Sequence, residues 1–215
     1  MLLTDTLPRN SIQHGDCIAL MQALPARSVD FILTDPPYLV RYQSRDGRRI
    51  ANDDNAAWLG PASHEMFRVL KDDSLCVSFY GWTQTDRFMS AWRAAGFRIV
   101  GHIVFRKRYA SRARFVSYTH ESAYVLAKGR PVLPDHPPAD VIDFPYSGNR
   151  LHPTQKPVSA LTPLIEAFCP EGGLVLDPFC GSGSTLAAAR HVGRDFIGME
   201  LDDAYHRIAA DRLAA

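Results

Sequence analysis

The 215-residue chain lacks any run of about 18 apolar residues that could cross a bilayer, and no basic-apolar-small leader follows Met1. Neither a membrane span nor a signal peptide is expected, and the expected compartment is the cytoplasm. Cysteine is sparse: Cys17, Cys76, Cys169 and Cys180 are scattered, with no C-x-x-C and no Cys/His cluster at metal-ligand spacing. Four reduced thiols are expected, without a metal site or a disulfide framework. Acid is missing from one stretch. Between Arg87 and His120 there is no Asp or Glu, whereas Arg87, Arg93, Arg98, Arg106, Lys107, Arg108, Arg112 and Arg114 fall inside it. The net charge of +1 hides this asymmetry, which points to a polyanion. Single basic residues more often just solvate a helix or strand face. Here, however, Tyr109, Phe115 and Tyr118 are interleaved with the second half of the run, as on nucleic-acid-binding surfaces.

What is present is enough for one large core, with 46% hydrophobic residues, and a single domain over residues 1–215 is expected. Strand and helix patterns alternate. Residues 11–16 read as a short strand and turn, 17–24 as a helix, and 29–34 as an almost wholly apolar strand buried on both faces. Helices are expected over 56–70, 86–95, 157–168 (despite Pro163), 186–190 and 203–213. Further strands are expected over 74–80, 98–105, 122–127, 174–177 and 196–199. This alternation predicts an α/β fold with a Rossmann-like, doubly wound, mostly parallel sheet. Two stretches break the pattern. Residues 39–55, with Arg41, Arg45 and Arg48, show no apolar period, and a loop this long beside a site favours a lid or a substrate contact. Residues 106–150 are charged, aromatic and then proline-rich, and substrate-reading elements are expected there; for 130–145 a plain peripheral excursion stays open.

The strand over 29–34 delivers Asp35-Pro36-Pro37-Tyr38. Proline fixes its own φ at about −65°, has no N–H, and biases the preceding residue toward extended backbone. Both Asp35 and Pro36 precede a proline, so the segment holds one stiff shape that presents a carboxylate, an unpaired carbonyl and an aromatic ring together. A strand end capped by Tyr38 is the plain alternative, unless a second site lies nearby. Such a site is legible further on. The run Leu174–Asp177 reads as a strand, Gly181-Ser182-Gly183 as a tight turn into a helix, and Glu200 ends the next strand 23 residues after Asp177. Glycines let backbone approach a ligand closely, and an acid at that strand end can accept both ribose hydroxyls. Leu186 stands where the dinucleotide fingerprint has its third glycine, so a pyrophosphate is not favoured.

These motifs, in this order, resemble the S-adenosylmethionine-dependent DNA amino-methyltransferases of the beta group, in which the target-base motif precedes the cofactor motif. The resemblance covers nearly the whole chain: Gly15-Asp16, Ser28-Val29-Asp30, Thr34-Asp35-Pro36-Pro37-Tyr38, His120-Glu121 with Lys128-Gly129, His152-Pro153-Thr154-Gln155-Lys156-Pro157, and Asp177 through Thr185. It implies the methyltransferase fold in permuted order, with a small target-recognition segment around 106–150. It implies S-adenosyl-L-methionine as cofactor, with Asp177, Phe179, Cys180, Gly181 and Gly183 in its loop and Glu200 on the ribose. Asp16 would lie near the cofactor's adenine, and Lys156, Thr154 and Asp35 toward its methionine end. His120-Glu121 is expected to be structural. The recognition segment is compact and no C-terminal extension of any length is expected after Leu213, which implies modest sequence selectivity or a second subunit that completes it.

The implied activity is methylation of the N6 amine of an adenine in double-stranded DNA, with Asp35, Pro36, Pro37 and Tyr38 as catalytic residues. The amine lone pair is delocalised into the ring, so the Asp35 carboxylate and Pro36 carbonyl would each accept one N–H and draw the nitrogen out of plane. A base inside a duplex cannot reach this geometry and must be extruded, with Tyr38 as its stacking face. Arg41, Arg45, Arg48, Arg106, Lys107, Arg108, Arg112 and Arg114 would bind the DNA. Transfer to N4 of cytosine is the neighbouring alternative, since an acid at position 35 favours adenine in the family and serine favours cytosine. RNA or protein-amide methylation is more distant, and a non-catalytic DNA-binding regulator is the alternative from another class. A homodimer and a cognate restriction enzyme are left open as partners.

Overall fold

The computed structural model describes residues 7–43, 47, 50–110, 115–148 and 151–214. Eight strands are described: β1 (Ser11–His14), β2 (Val29–Thr34), β3 (Leu70–Phe79), β4 (Arg98–Arg106), β5 (His120–Lys128), β6 (Val141–Asp143), β7 (Leu174–Asp177) and β8 (Asp195–Glu200). Six helices accompany them: α1 (Cys17–Gln22), α2 (Leu59–Val69), α3 (Thr85–Ala95), α4 (Val158–Phe168), α5 (Ser184–His191) and α6 (Asp203–Ala214). The strands form one sheet in the order β1-β8-β7-β2-β3-β5-β4-β6. From β1 to β3 every pairing is parallel; β5 runs antiparallel to both neighbours, and β6 returns to a parallel pairing with β4. The predicted α/β, mostly parallel, doubly wound sheet is what the chain forms.

Helices cover both faces, which is why the central strands read as unbroken apolar runs. On one face Met66, Phe88 and Trp92 pack against Ile32 and Leu176; on the other Leu161, Leu164 and Leu186 pack against Phe31, Leu33 and Val175. Trp92, Phe31, Phe79 and Phe88 are among the largest fully buried side chains, and each contributes roughly 1.5–3 kcal/mol by leaving water. The two motif-bearing strands are direct neighbours, Phe31 opposite Val175 and Ile32 opposite Leu176. After β2 the chain goes to the α2 face, and after β7 to the α5 face. A crevice therefore opens between their carboxyl ends, the place where doubly wound sheets bind ligands.

Three expectations need adjustment. β3 starts at Leu70 rather than 74, because α2 ends there: the buried Lys128 ammonium donates to the Phe67 and Leu70 carbonyls at 2.8 and 2.7 Å and closes the helix. α5 starts at Ser184, directly after the glycine turn and two residues before the expected start at 186, with left-handed Gly183 as its N-cap. β6 lies inside the proline-rich passage, where three residues too few to show a period pair with Val104 to Arg106 at the sheet edge. Among the described residues no helix is long and apolar enough to cross a membrane.

Candidate active site

The strand ends β2 and β7 are stitched together by Asp177. Its Oδ1 accepts the Thr34 hydroxyl at 2.9 Å and the Phe179 backbone N–H at 3.1 Å. The side chain is almost fully buried, and burial pushes the carboxyl up to about 7 despite these donors. Asp177 thus joins the target-side motif to the cofactor-side motif.

On the target side Pro36 and Pro37 are buried and Asp35 is half-buried beside them. The Tyr38 hydroxyl donates to Asp35 Oδ1 at 2.7 Å, and Lys156 Nζ lies 2.5 Å from Oδ2. Burial raises the Asp35 carboxyl above the usual range, while Lys156 opposes the rise. Burial and the Asp35 charge push the Tyr38 phenol well up, so it remains a neutral donor. Gly81, just past β3, is required underneath: a Cβ there would stand 2.6 Å from the Tyr38 carbonyl oxygen.

Behind Asp35 the charges continue. Lys156 Nζ is also 3.1 Å from Glu121 Oε2, and Lys107 Nζ is 2.5 Å from Glu121 Oε1. Asp35, Lys156, Glu121 and Lys107 form a row of alternating sign that runs inward from the site. Burial works against the charge of Glu121, but the two ammonium groups prevail and hold its carboxyl low; likewise the two carboxylates hold the Lys156 ammonium high. The strand-like alternation that continues past β4 explains the row, because Lys107 N–H donates to Thr119 O and its side chain points opposite to those of Arg106 and Arg108. One reading needs correction: Lys107 was expected on the DNA face, yet its side chain is only 8% exposed. Glu121, expected to be structural, lies two ionic contacts from Asp35.

The cofactor side is held by backbone. Gly181 and Gly183 take φ +51° and +78°, and a Cβ on Gly183 would press on Ala209 of α6 at 3.3 Å. Glu200 accepts from the backbone N–H of Gly181 at 2.8 Å through one oxygen and of Asp202 at 2.7 Å through the other. A carboxylate has about four acceptor positions, so capacity remains for a ligand's hydroxyl. Cys180 N–H donates to Met199 O at 3.0 Å, and the Phe179 ring meets Trp58 edge-on at 5.0 Å. Asp16 caps α1 by accepting from Ile18 N–H at 2.7 Å. Thr154 donates its backbone N–H to His152 Nδ1 at 3.2 Å, and the His152 ring lies against Gly181.

One cleft brings Asp16, Asp35 through Tyr38, Thr154, Lys156, Asp177, Phe179 through Gly181, and Glu200 together; Gly183 does not line it but stands between Ser182 and Ser184, which do. Val40, Tyr42 and Ile50 from the predicted lid add a wall. That loop is latched by buried Asp53, which accepts from the N–H groups of Val40 and Tyr42 at 3.3 and 2.6 Å. The latch opposes strain, since Leu39, Arg41 and Asn52 all take positive φ. Cys17 also lines the cleft, and burial pushes its thiol up to about 12. All four cysteines are free, and among the described residues no group of three His, Cys, Asp or Glu could hold a metal ion.

Arg41 is exposed at the lid, and Arg106 and Arg108 are exposed but share Asp143 at 2.7 and 3.6 Å. Arg45, Arg48, Arg112 and Arg114 lie outside the described residues. A feature missed in sequence is Trp82, 65% exposed and stacked on Tyr118 at 5.9 Å, next to the glycine that supports Tyr38. Its signal was present: an aromatic residue three positions past a buried strand whose carboxyl end lies beside that of β2.

Residues 29–148 and 143–211 match the sequence model of a family described as DNA methylase. The chain is 59% identical over 202 residues to the YubD protein of Escherichia coli (strain K12), covering 94% of this chain and 89% of that protein. It is 31% identical over 245 residues to the DNA adenine methyltransferase YhdJ of the same organism, covering 94% and 82%. Among solved structures it resembles the M1.HpyAVI-SAM complex with a TM-score of 0.76 at 23% identity, covering 95% of this chain and 99% of that one. It also resembles the cytosine-N4-specific PvuII DNA methyltransferase with a TM-score of 0.79 at 18% identity, covering 96% and 87%.

Proposed function

The chain belongs to the N6/N4 DNA methylase family, and on that premise we propose that it methylates the N6 amine of adenine in DNA with S-adenosyl-L-methionine as cofactor. The observation that carries this reading is the position of Asp35 and Pro36 at the carboxyl end of β2, one strand from the glycine loop and Glu200, in a shared cleft. The residues fit the cofactor. The loop is glycine-rich at left-handed positions, and Glu200 keeps acceptor capacity beyond its two backbone bonds. Phe179 and Asp16 would flank the cofactor's adenosine, with Thr154 toward its methionine end. When bound, the cofactor supplies a sulfonium methyl whose S–C bond breaks, with its electron pair kept on sulfur, as the new N–C bond forms.

The chain's own part is positioning and electrostatics. Asp35 Oδ2 and the Pro36 carbonyl accept the two amine hydrogens, which turns the lone pair out of the ring plane. The proton released as the nitrogen becomes cationic passes to the Asp35 carboxylate, whose proton affinity burial has raised. Tyr38 orients Asp35 through its hydroxyl and offers its ring to the extruded base. Stacking of that kind contributes roughly 1–3 kcal/mol per base, comparable with the few kcal/mol needed to unstack it. The Trp82–Tyr118 pair, Arg106 and the described lid residues Val40 and Tyr42 stand toward the carboxyl ends of β2 and β3, where duplex DNA would lie, whereas Lys128 to Arg130 sit at the opposite end of the sheet beside Asp73.

Transfer to cytosine N4 would use the same acceptor pair; the 31% identical adenine enzyme and the acid at position 35 favour adenine. Nucleoside analysis of DNA from a methylation-deficient host, treated with the purified protein, tests both. N6-methyladenine is expected; N4-methylcytosine would transfer the assignment to the other amine, and no methylated base would remove it.

A further inference from the structure

Asp35 has no idle oxygen. Tyr38 holds Oδ1, and the Lys156 ammonium lies 2.5 Å from Oδ2. An amine that must donate to this carboxylate, and then carry positive charge, meets an ammonium on the same oxygen. The cation competes for the lone pair and repels the charge that forms. A place for it exists on its other side. Glu121 Oε2 is buried and already in ion-pair contact with Lys156 Nζ at 3.1 Å, a longer and less well-aligned contact than the 2.5 Å that the same ammonium makes with Asp35 Oδ2. A buried carboxylate oxygen so loosely paired gains from a closer donor. Its partner oxygen is fixed by Lys107 at 2.5 Å, so Glu121 cannot turn away.

We propose that Glu121 is a second seat for the Lys156 ammonium: when the target amine docks, Lys156 moves from Asp35 Oδ2 onto Glu121 Oε2, and Asp35 is released to the amine. Glu121 acts through Lys156 and is a positioning residue, and Lys107 fixes the seat. The movement is short, because the ammonium already touches both carboxylates. It exchanges one satisfied carboxylate for another, which is how a packed site holds two discrete arrangements. The groups that face Lys156 are Asp35 and Tyr38 from the end of β2, Phe79 from β3, Glu121 from β5, and Lys107 and Tyr109 from the β4–β5 hairpin. With Lys156 on Glu121, Asp35 loses its nearest counter-charge and takes up the amine's proton more readily. The inference rests on the amine-methylation reading.

The test uses the full chain with plasmid DNA from a methylation-deficient host, in single turnover across pH. Glu121→Gln should slow transfer by roughly tenfold to a hundredfold, with cofactor affinity by calorimetry and the DNA KM little changed. The acid limb of its pH profile should move to lower pH, because Lys156 then stays on Asp35 and keeps it ionised. Glu121→Asp should recover part of the rate. Lys107→Met/Glu121→Gln removes both charges and guards against a folding defect. It should be as slow as the single variant, and a return to the wild-type rate would show that Glu121 only neutralises Lys107. A wild-type rate and unmoved limb in Glu121→Gln overturn the seat while leaving the methylation reading intact. A wild-type protein that methylates no base overturns the reading and the seat together.

Discussion

The two halves of the cleft are built by different means. On the side proposed for the cofactor, Gly181, Gly183, Glu200 and Asp202 are fixed by backbone hydrogen bonds, left-handed glycines and a close helix, all within β7-α5-β8 and the α6 that follows it. On the side proposed for the target, Asp35, Lys156, Glu121 and Lys107 come from four separate stretches and are held by ion pairs and the Tyr38 hydroxyl, beside a strained lid latched by Asp53. A rigid cradle suits a ligand of fixed shape. Alternating charges suit a site that must accept a base, lose a proton and let product go.

If the division is right, damage on the target side should affect chemistry and damage on the cofactor side should affect binding. The largest effect is expected for Asp35→Ala: a loss of methyl transfer on the order of 10²–10⁴-fold or more, with cofactor affinity kept. Normal transfer by this variant would break the comparison at its centre. Glu200→Ala should weaken cofactor binding by about 1.5–3 kcal/mol, read by calorimetry, and an unchanged Kd would detach Glu200 from the cradle. Trp82→Ala should weaken DNA binding by about 1–3 kcal/mol without altering cofactor affinity; equal binding by wild type and variant in fluorescence anisotropy would take Trp82 off the DNA rim.

The smallest effect sharpens the seam between the halves. The Asp177 carboxyl is raised in the folded chain to about 7, so it binds a proton there that the unfolded chain has lost. Its stabilising contribution is complete below the ordinary carboxylate range and is lost as pH rises through about 7. Asp177→Asn cannot ionise and should flatten the fall in Tm between pH 5 and pH 8. An equally steep fall in the variant would assign the pH dependence to another group.

The sequence showed most where the chemistry is local. β2 and β7 are bounded as predicted, because buried parallel strands are apolar throughout and the residues that follow them are prolines and glycines with fixed backbone roles. β6 could not be read, since three residues among prolines carry no period and owe their pairing to the edge of β4. Nor could the inward turn of Lys107 within Arg106-Lys107-Arg108, where composition offers three alike cations and only the pleat separates them. The contacts of Glu121 with Lys156 and Lys107 were illegible for a related reason, since both partners lie in other stretches of the chain.

By itself the sequence determined the α/β class, the order of the two motifs, the proline-stiffened acid and the glycine loop, because each rests on backbone preferences of neighbouring residues. The tertiary structure decided that β2 and β7 lie side by side, with Thr34 on Asp177 across 143 residues, and that two lysines and two acids line up behind the site. Strand pairing and charge contact depend on distance in space, and distance along the chain does not encode it.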